Sequence, residues 1–296
     1  MAGRRHFLIL TGADGVEDAL AQAFRKRLQT FDDCAALPRR LSDGAVEIGF
    51  LGDEPDPDSL VEVLNGAHVD VNVVLASDRR KRLLIADMDS TIIGVECIDE
   101  LADFAGVKAE VAGITEAAMR GELDFEGSLI ERVRLLAGLD EGVLTRCFEE
   151  RVALNPGARV LVRTMRALGA ETALVSGGFT FFAERVAALA GFAESRANVL
   201  ELEGGRLTGE VAQPILGQQA KVEALMGHVA RGGYPAASVI AVGDGANDRG
   251  MIEAAGLGVA YRAKPALVSV ADARLDHSDL TAVLALQGIA EDEWVV

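Results

Sequence analysis

The chain has 296 residues, of which half are apolar and a quarter are charged, as in ordinary globular proteins. This length allows two domains and a large buried core. The formal net charge of −17 argues against nucleic-acid or anionic-membrane partners, because both bind through basic patches. No apolar run is long enough for a membrane span, and the run at 6–10 is too short for a signal peptide, so we expect a cytoplasmic protein. The three cysteines form no CxxC pair, which fits a reducing compartment.

The first part of the chain, residues 1–78, has the pattern of a small α+β domain. A charged segment at 77–82 separates it from the remainder. Apolar periodicity and turn residues predict the order βαββαβ, with strands at 7–10, 35–41, 45–51 and 69–74 and helices at 16–28 and 57–64.

The second part, residues 79–296, alternates short apolar runs with helical patterns. The runs at 83–86, 172–175, 238–242 and 256–260 are unbroken, as is typical of strands that are buried on both faces of a parallel sheet. Helices are predicted between them at 157–168, 181–190, 218–230 and 246–255. This alternation predicts an α/β fold with a doubly wound parallel sheet. Residues 98–155 show helices and no buried strand, so we expect an inserted helical cap at about 95–155.

Polar residues follow three of the predicted strands directly. They are Asp87 and Asp89, then Ser176 with Gly177 and Gly178, then Asp244 with Asn247 and Asp248. Each group alone also suits a helix cap, a turn or a solvated loop. Ligands of open α/β sheets bind at the carboxyl ends of the strands, so three such groups together favour a functional site.

A site with several aspartates needs a cation, because the carboxylates repel each other. Oxygen ligands without a thiolate or an imidazole favour Mg²⁺, which can also bind a phosphate oxygen. Asp87 could then act as a nucleophile and form an acyl phosphate. Asp89 could protonate the leaving alkoxide and later activate water. The phosphoryl charge could be met by Ser176, by backbone N–H groups of the glycines and by Lys221, although an exposed helix lysine is the simpler interpretation of Lys221.

Four motifs stand in the order of the haloacid dehalogenase superfamily: DMDST at 87–91, SGG at 176–178, Lys221, and GDGAND at 243–248. Two segments of the predicted cap, DELA at 99–102 and FEGSLIERV at 125–133, agree with a narrower family. From about residue 82 to the end, the chain resembles the phosphoserine phosphatases.

This resemblance implies hydrolysis of O-phosphoserine through a phosphoaspartate on Asp87, with Asp89 as general acid and base, as the final step of serine biosynthesis. It implies a Mg²⁺ site made by Asp87, the Asp89 carbonyl, Asp244 and the nearby Asp248. It also implies a set of substrate-binding residues. Ser176, Gly177, Gly178, Lys221 and Asn247 would hold the phosphoryl group, Glu96 the ammonium and Arg132 the carboxylate, while Met119 and Phe125 would shield the site from water.

The sequence leaves several alternatives open. A phosphotransferase that passes the phosphoryl group to an alcohol such as homoserine would use the same residues. An amino-acid-binding regulator with an inert catalytic half is a second alternative, because the order βαββαβ at 1–78 resembles the ACT-type domain. The sequence predicts a small-molecule substrate and neither a nucleic-acid nor a membrane partner, and it leaves a homodimer open.

Overall fold

The computed structural model describes residues 4–32, 34–55, 57–119 and 122–296, with the backbone alone at 57, 58, 118 and 119. The N-terminal unit has the predicted βαββαβ order. Its elements are β1 (Arg5–Thr11), α1 (Asp18–Leu28), β2 (Arg39–Ser42), β3 (Ala45–Leu51), α2 (Pro57–Leu64) and β4 (Asp70–Leu75). The strands form an antiparallel sheet in the order β2-β3-β1-β4.

The N-terminal sheet is buried on both faces. Leu8 and Leu10 of β1 share an apolar core with Phe24 and Leu28 of α1. Ile9 lies between those two leucines in the strand and therefore points to the opposite face, where it joins the large core of the rest of the chain. This double burial explains why the strand at 7–10 appears in the sequence as an unbroken apolar run.

The second part of the chain begins with β5 (Leu83–Ala86), and a helical insertion follows it. The described residues of the insertion form α3 (Cys97–Ala105), α4 (Lys108–Met119), α5 (Phe125–Arg134) and α6 (Gly142–Arg151). A backbone bridge between Ile93 and Leu154 closes the base of the insertion. These helices are the cap that the sequence predicts.

The remaining elements complete the core and add a hairpin. In chain order they are α7 (Ala158–Ala167), β6 (Glu171–Phe179), α8 (Thr180–Ala190), β7 (Glu194–Asn198), β8 (Leu200–Glu203), β9 (Arg206–Val211), α9 (Gln218–Gly232), β10 (Val239–Gly243), α10 (Arg249–Ala254), β11 (Leu257–Tyr261), α11 (Pro265–Val268), β12 (Ala273–Leu275) and α12 (Ala282–Leu286). No helix in the described ranges combines the length and the apolar character of a membrane span.

The predicted parallel sheet is confirmed, with six strands in the order β12-β11-β10-β5-β6-β7. Leu84 and Ala86 of β5 pack into one apolar core, and Leu83 and Ile85 pack into another on the opposite face. Because both faces are covered, the strand has no polar side and shows no alternation. The strands β10, β5 and β6 are adjacent in the middle of this sheet, so their carboxyl ends lie side by side.

The sequence did not predict β7, β12 or the β8–β9 hairpin. β7 has the sequence ESRAN and lies at an edge of the sheet, with mostly polar residues. β12 has three residues and forms the other edge. Short or polar edge strands lack the apolar run that reveals a buried strand.

The two sheets meet at β4 and β12. The Asn72 side chain donates to the carbonyl oxygen of Arg274 at 2.9 Å and accepts from its backbone N–H at 2.8 Å. The Asp70 carboxylate accepts from the backbone N–H groups of Asp276 and His277. Side chains of β4 thus bind the backbone of β12 and of the loop that follows it, and they connect the N-terminal unit to the rest of the chain.

Candidate active site

The polar residues at the three strand ends meet in one pocket of about 190 Å³. Asp87 follows β5 and is held there by a hydrogen bond from its backbone N–H to the Val242 carbonyl of β10, at 2.9 Å. Ten of the residues singled out from the sequence line this pocket: Asp87, Asp89, Glu96, Phe125, Arg132, Ser176, Gly177, Gly178, Asp244 and Asn247.

Lys221 and Asp248 lie in the protein beside this pocket, and both are fully buried. The Lys221 ammonium is 2.6 Å from Asp87 Oδ1 and 2.5 Å from Asp248 Oδ1. Burial disfavours a charged lysine, but the two carboxylates outweigh that effect and raise the Lys221 pKa above its ordinary value. Lys221 is therefore not an exposed helix lysine. It fixes the position of Asp87.

Asp248 also organises the backbone of the loop after β10. Its Oδ2 atom accepts hydrogen bonds from the N–H groups of Asp244 and Gly245, each at 3.1 Å. Since Oδ1 is bonded to Lys221, both carboxylate oxygens of Asp248 already have partners. The Asp244 carboxylate accepts from the Thr91 hydroxyl at 3.2 Å, which restricts its orientation.

Carboxylate oxygens of Asp87, Asp244 and Asp248 lie within 4.8 Å of one another, close enough to share a metal ion. Burial and the neighbouring Asp248 charge raise the pKa of Asp87 well above its ordinary value, and the same two causes raise the pKa of Asp244 to about 6. A bound divalent cation would reverse both shifts. The all-oxygen donor set, in which three carboxylates face the single Lys221 ammonium, fits a hard cation such as Mg²⁺.

Asp89 lies between the core and the cap. Its Oδ1 atom accepts a hydrogen bond from the backbone N–H of Cys97, the first residue of α3, at 3.0 Å, and its Oδ2 atom accepts from the Ser176 hydroxyl at 3.3 Å. Burial, together with the nearby Glu96 carboxylate, raises the pKa of Asp89 to about 7. A carboxyl group with this pKa can both give and take a proton near neutral pH.

Two glycines after β6 let the chain pass close to Asp89 and to the cap. The Gly178 N–H donates to Ser176 Oγ at 2.8 Å, and a Cβ atom at Gly178 would lie 2.6 Å from Asp89 Oδ2. A Cβ atom at Gly177 would lie 2.7 Å from the Phe125 ring of the cap. Only glycine fits such close approaches without displacing a neighbour.

The cap contributes Glu96, Phe125 and Arg132. Glu96 Oε1 accepts a hydrogen bond from the Ser90 hydroxyl at 2.7 Å. Arg132 donates through Nε to the Ser128 carbonyl at 3.2 Å, and its two terminal nitrogens have no partner among the described residues. Burial lowers the pKa of Arg132, against the opposing charges of Asp99 and Glu96. Met119 ends α4, and its side chain lies outside the described part of the chain.

Two polar residues of the site were not predicted from the sequence. Thr91 holds Asp244, and its place in the DMDST segment was a usable signal. Lys264 lines the pocket beside Asp244, although it lies in the loop between β11 and α11, far from every motif in sequence.

Comparison with known proteins gives a family that has the same kind of fold and pocket. The family model for haloacid dehalogenase-like hydrolases matches residues 84–253. This match covers more than half of the chain, which therefore belongs to the haloacid dehalogenase-like hydrolase family.

Within this family, the chain is similar to phosphoserine phosphatases. It is 44% identical over 253 residues to a phosphoserine phosphatase of Streptomyces coelicolor, covering 84% of this chain and 62% of that protein. It is 46% identical over 202 residues to one of Idiomarina loihiensis, covering 68% and 91%. A crystal structure of a probable phosphoserine phosphatase from Vibrio cholerae matches with a TM-score of 0.78 at 31% identity, over 97% of this chain and 88% of that one. The chain spans about three fifths of the length of the Streptomyces relative.

Proposed function

We propose that this protein is a magnesium-dependent phosphoserine phosphatase that hydrolyses O-phosphoserine to serine and phosphate in serine biosynthesis. The observation that carries the proposal combines two features of one pocket: an aspartate paired with a buried lysine, and a cap arginine whose terminal nitrogens have no partner among the described residues. The first feature suits phosphoryl transfer, and the second suits a substrate carboxylate. The similarity to phosphoserine phosphatases supports both.

The reaction would begin at the Asp87 carboxylate. One of its oxygens attacks the phosphorus atom, the bond from phosphorus to the serine oxygen breaks, and a phosphoaspartate forms. Asp89 gives its proton to the serine alkoxide as this bond breaks. In the second step, Asp89 takes a proton from water, the resulting hydroxide attacks the phosphorus atom, and the Asp87 carboxylate is released with inorganic phosphate.

The remaining core residues would hold the phosphoryl group and the cation. Asp87, the backbone carbonyl of Asp89 and Asp244 would bind Mg²⁺, with Asp248 directly behind them. When bound, Mg²⁺ lowers the repulsion between the carboxylate nucleophile and the phosphate dianion. The Ser176 hydroxyl, the backbone N–H groups of Gly177 and Gly178 and the Asn247 amide would bind phosphoryl oxygens. Lys221 would keep Asp87 ionised and correctly oriented.

The cap would recognise the amino-acid part of the substrate. Glu96 would pair with the ammonium, and Arg132 would bind the carboxylate through two parallel hydrogen bonds. Phe125 closes against Gly177 and would keep water away from the phosphoaspartate until the first product leaves. Met119 remains part of this proposal as a second shielding residue.

The proposal is tested by phosphate release from a panel of phosphorylated metabolites, each with Mg²⁺ and after its removal by a chelator. We expect phosphoserine to give the highest kcat/KM, and activity to vanish without metal and return when Mg²⁺ is added back. Equal rates on unrelated phosphate esters, or full activity in the stripped protein, would contradict the proposal. Repeating the assay with homoserine present would reveal transfer to an alcohol as phosphohomoserine.

We further propose that residues 1–78 are an ACT-like regulatory domain of a cytoplasmic homodimer and that residues 79–296 are the catalytic domain. The support is the βαββαβ order and the hydrogen bonds from β4 to the loop after β12. Titration of the full chain with serine, with activity and light scattering as readouts, checks this. If serine inhibits the unmodified protein and an Asn72→Ala variant with the same hyperbolic dependence, the contact between the two domains has no role in regulation.

A further inference from the structure

The pocket holds more negative than positive side chains. Among the described residues that line it, Asp87, Asp89, Glu96 and Asp244 carry carboxylates, whereas Arg132 and Lys264 carry cations. Lys221 is already bonded to two aspartates. Apart from the proposed Mg²⁺, an incoming phosphate dianion therefore approaches mostly like charge, in a protein whose formal net charge is −17.

The backbone of Lys264 is fixed beside the strand end that carries Asp244. Its N–H donates to the Asp244 carbonyl at 2.9 Å, and its own carbonyl accepts from Leu267 N–H at 2.9 Å in the first turn of α11. Pro265, the first residue of α11, restricts the backbone at that point. The backbone position of Lys264 is therefore determined by the fold of the core.

The side chain of Lys264 is free, in contrast to its backbone. Its ammonium has no hydrogen-bond or ion-pair partner within the described ranges, and the residue is exposed at the edge of the pocket. Burial and the Asp248 charge raise the pKa of the nearby Asp244 carboxylate, and the Lys264 charge partly opposes that rise. A free cation on a fixed backbone, next to a candidate metal ligand, is well placed for an anionic ligand.

Arg132 and Lys264, the two cations that line the pocket among the described residues, stand on different walls. Arg132 belongs to α5 of the cap, whereas Lys264 belongs to the core on the Asp244 side. If the cap binds the amino-acid part of the substrate, the phosphate lies toward Asp87 and Asp244. Among the described residues that line the pocket, Lys264 is then the cation on the Asp244 side that has no hydrogen-bond or ion-pair partner.

We propose that Lys264 is a phosphate-recruiting residue, whose ammonium attracts the phosphate group of the substrate into the pocket on the Asp244 side. This inference rests on the proposed function only in requiring a phosphate ester as the ligand. Because the interaction is with the phosphate alone, it is equal for phosphoserine and for p-nitrophenyl phosphate. It acts on association, so it changes kcat/KM and leaves kcat nearly unchanged.

The test compares Lys264→Gln with Lys264→Arg and with Lys26→Gln, which removes the same charge from an exposed position on α1. At low ionic strength we expect Lys264→Gln to lower kcat/KM about tenfold for both esters and to weaken inhibition by inorganic phosphate about as much. Salt of about 0.5 M should remove most of the difference, since exposed charges are screened. Lys264→Arg and Lys26→Gln should behave like the unmodified protein.

Three results would overturn the proposal: unchanged phosphate inhibition in Lys264→Gln, a loss confined to kcat, or a loss for phosphoserine alone. Failure of the proposed function looks different. If the unmodified protein hydrolyses p-nitrophenyl phosphate but not phosphoserine, the substrate assignment fails and the Lys264 comparison still stands. If it hydrolyses neither, calorimetric binding of inorganic phosphate with Mg²⁺ to the same variants decides the role of Lys264.

Discussion

The two walls of the pocket differ in how far their buried polar groups are satisfied within the chain, a comparison that leaves aside the exposed Lys264 of the core wall. On the core wall, the Lys221 ammonium bonds to two carboxylates, and Asp248 uses both of its oxygens. On the cap wall, Arg132 uses only Nε, and its two terminal nitrogens have no partner in the part of the chain that the structure describes. Satisfied buried networks are rigid, whereas unpaired polar groups gain most from a ligand. We therefore expect the core wall to carry the reaction and the cap wall to select the substrate.

Replacing the nucleophile tests the core wall most severely. Asp87→Asn keeps the shape of the side chain but removes the attacking carboxylate, so turnover of every phosphate ester should fall by at least about a thousandfold. Asp14→Asn, in an exposed loop of the N-terminal unit, is the matched control and should keep full activity. Substantial turnover in Asp87→Asn would show that the nucleophile lies elsewhere.

Replacing the proton donor should have a smaller effect that depends on the leaving group. With phosphoserine, Asp89→Asn should lower kcat by about a hundredfold to ten-thousandfold, because the alkoxide leaves without a proton. Nitrophenolate leaves readily unaided, so p-nitrophenyl phosphate should still form the phosphoaspartate and then stall.

The expected signature of Asp89→Asn is a burst in which nearly one molecule of nitrophenol is released per protein chain, measured by stopped flow. The absence of a burst, combined with the same fractional loss for both esters, would mean that Asp89 does not handle the proton of the leaving group. In that case its hydrogen bonds to Cys97 and Ser176 would serve only to hold the loop.

The two walls could also be predicted by different routes, the core wall from the sequence pattern and the cap wall from the resemblance to the family. Unbroken apolar runs revealed β5 and β10, and the aspartates that follow them could be assigned to one sheet edge from the sequence pattern alone. The resemblance named Phe125 and Arg132, which are seven residues apart and so share one helix face, and both line the pocket. Lys264 could not be predicted, because the loop after β11 brings it to Asp244 and no local pattern encodes that return.

On the cap wall, Arg132→Ala should separate the two substrates. We expect KM for phosphoserine to rise by about tenfold to a hundredfold, since a charge-assisted bidentate contact is lost, and KM for p-nitrophenyl phosphate to stay within about twofold. Arg134→Ala is the control, because Arg134 lies on the same helix but is exposed and paired with Glu131. Equal effects on both substrates would leave no support for a carboxylate-binding arginine.

The contact between the two walls should give the smallest effect, and two glycines allow it to be graded. A Cβ atom at Gly177 would lie 2.7 Å from the Phe125 ring, whereas one at Gly217 would lie 3.2 Å from it. Gly177→Ala should therefore hold the cap partly open and lower kcat several-fold, on the order of 1 kcal/mol of overpacking, and Gly217→Ala should do less.

The double variant Gly177→Ala/Phe125→Leu identifies the cause of that loss. If the methyl group acts by pushing the cap away, the smaller side chain at 125 makes room for it, and the double variant should lose less than the two single changes together. A strictly additive loss would place the damage in the phosphate-binding backbone of the core wall. The sign of this coupling therefore shows whether the two walls work as separate parts or as one closing surface.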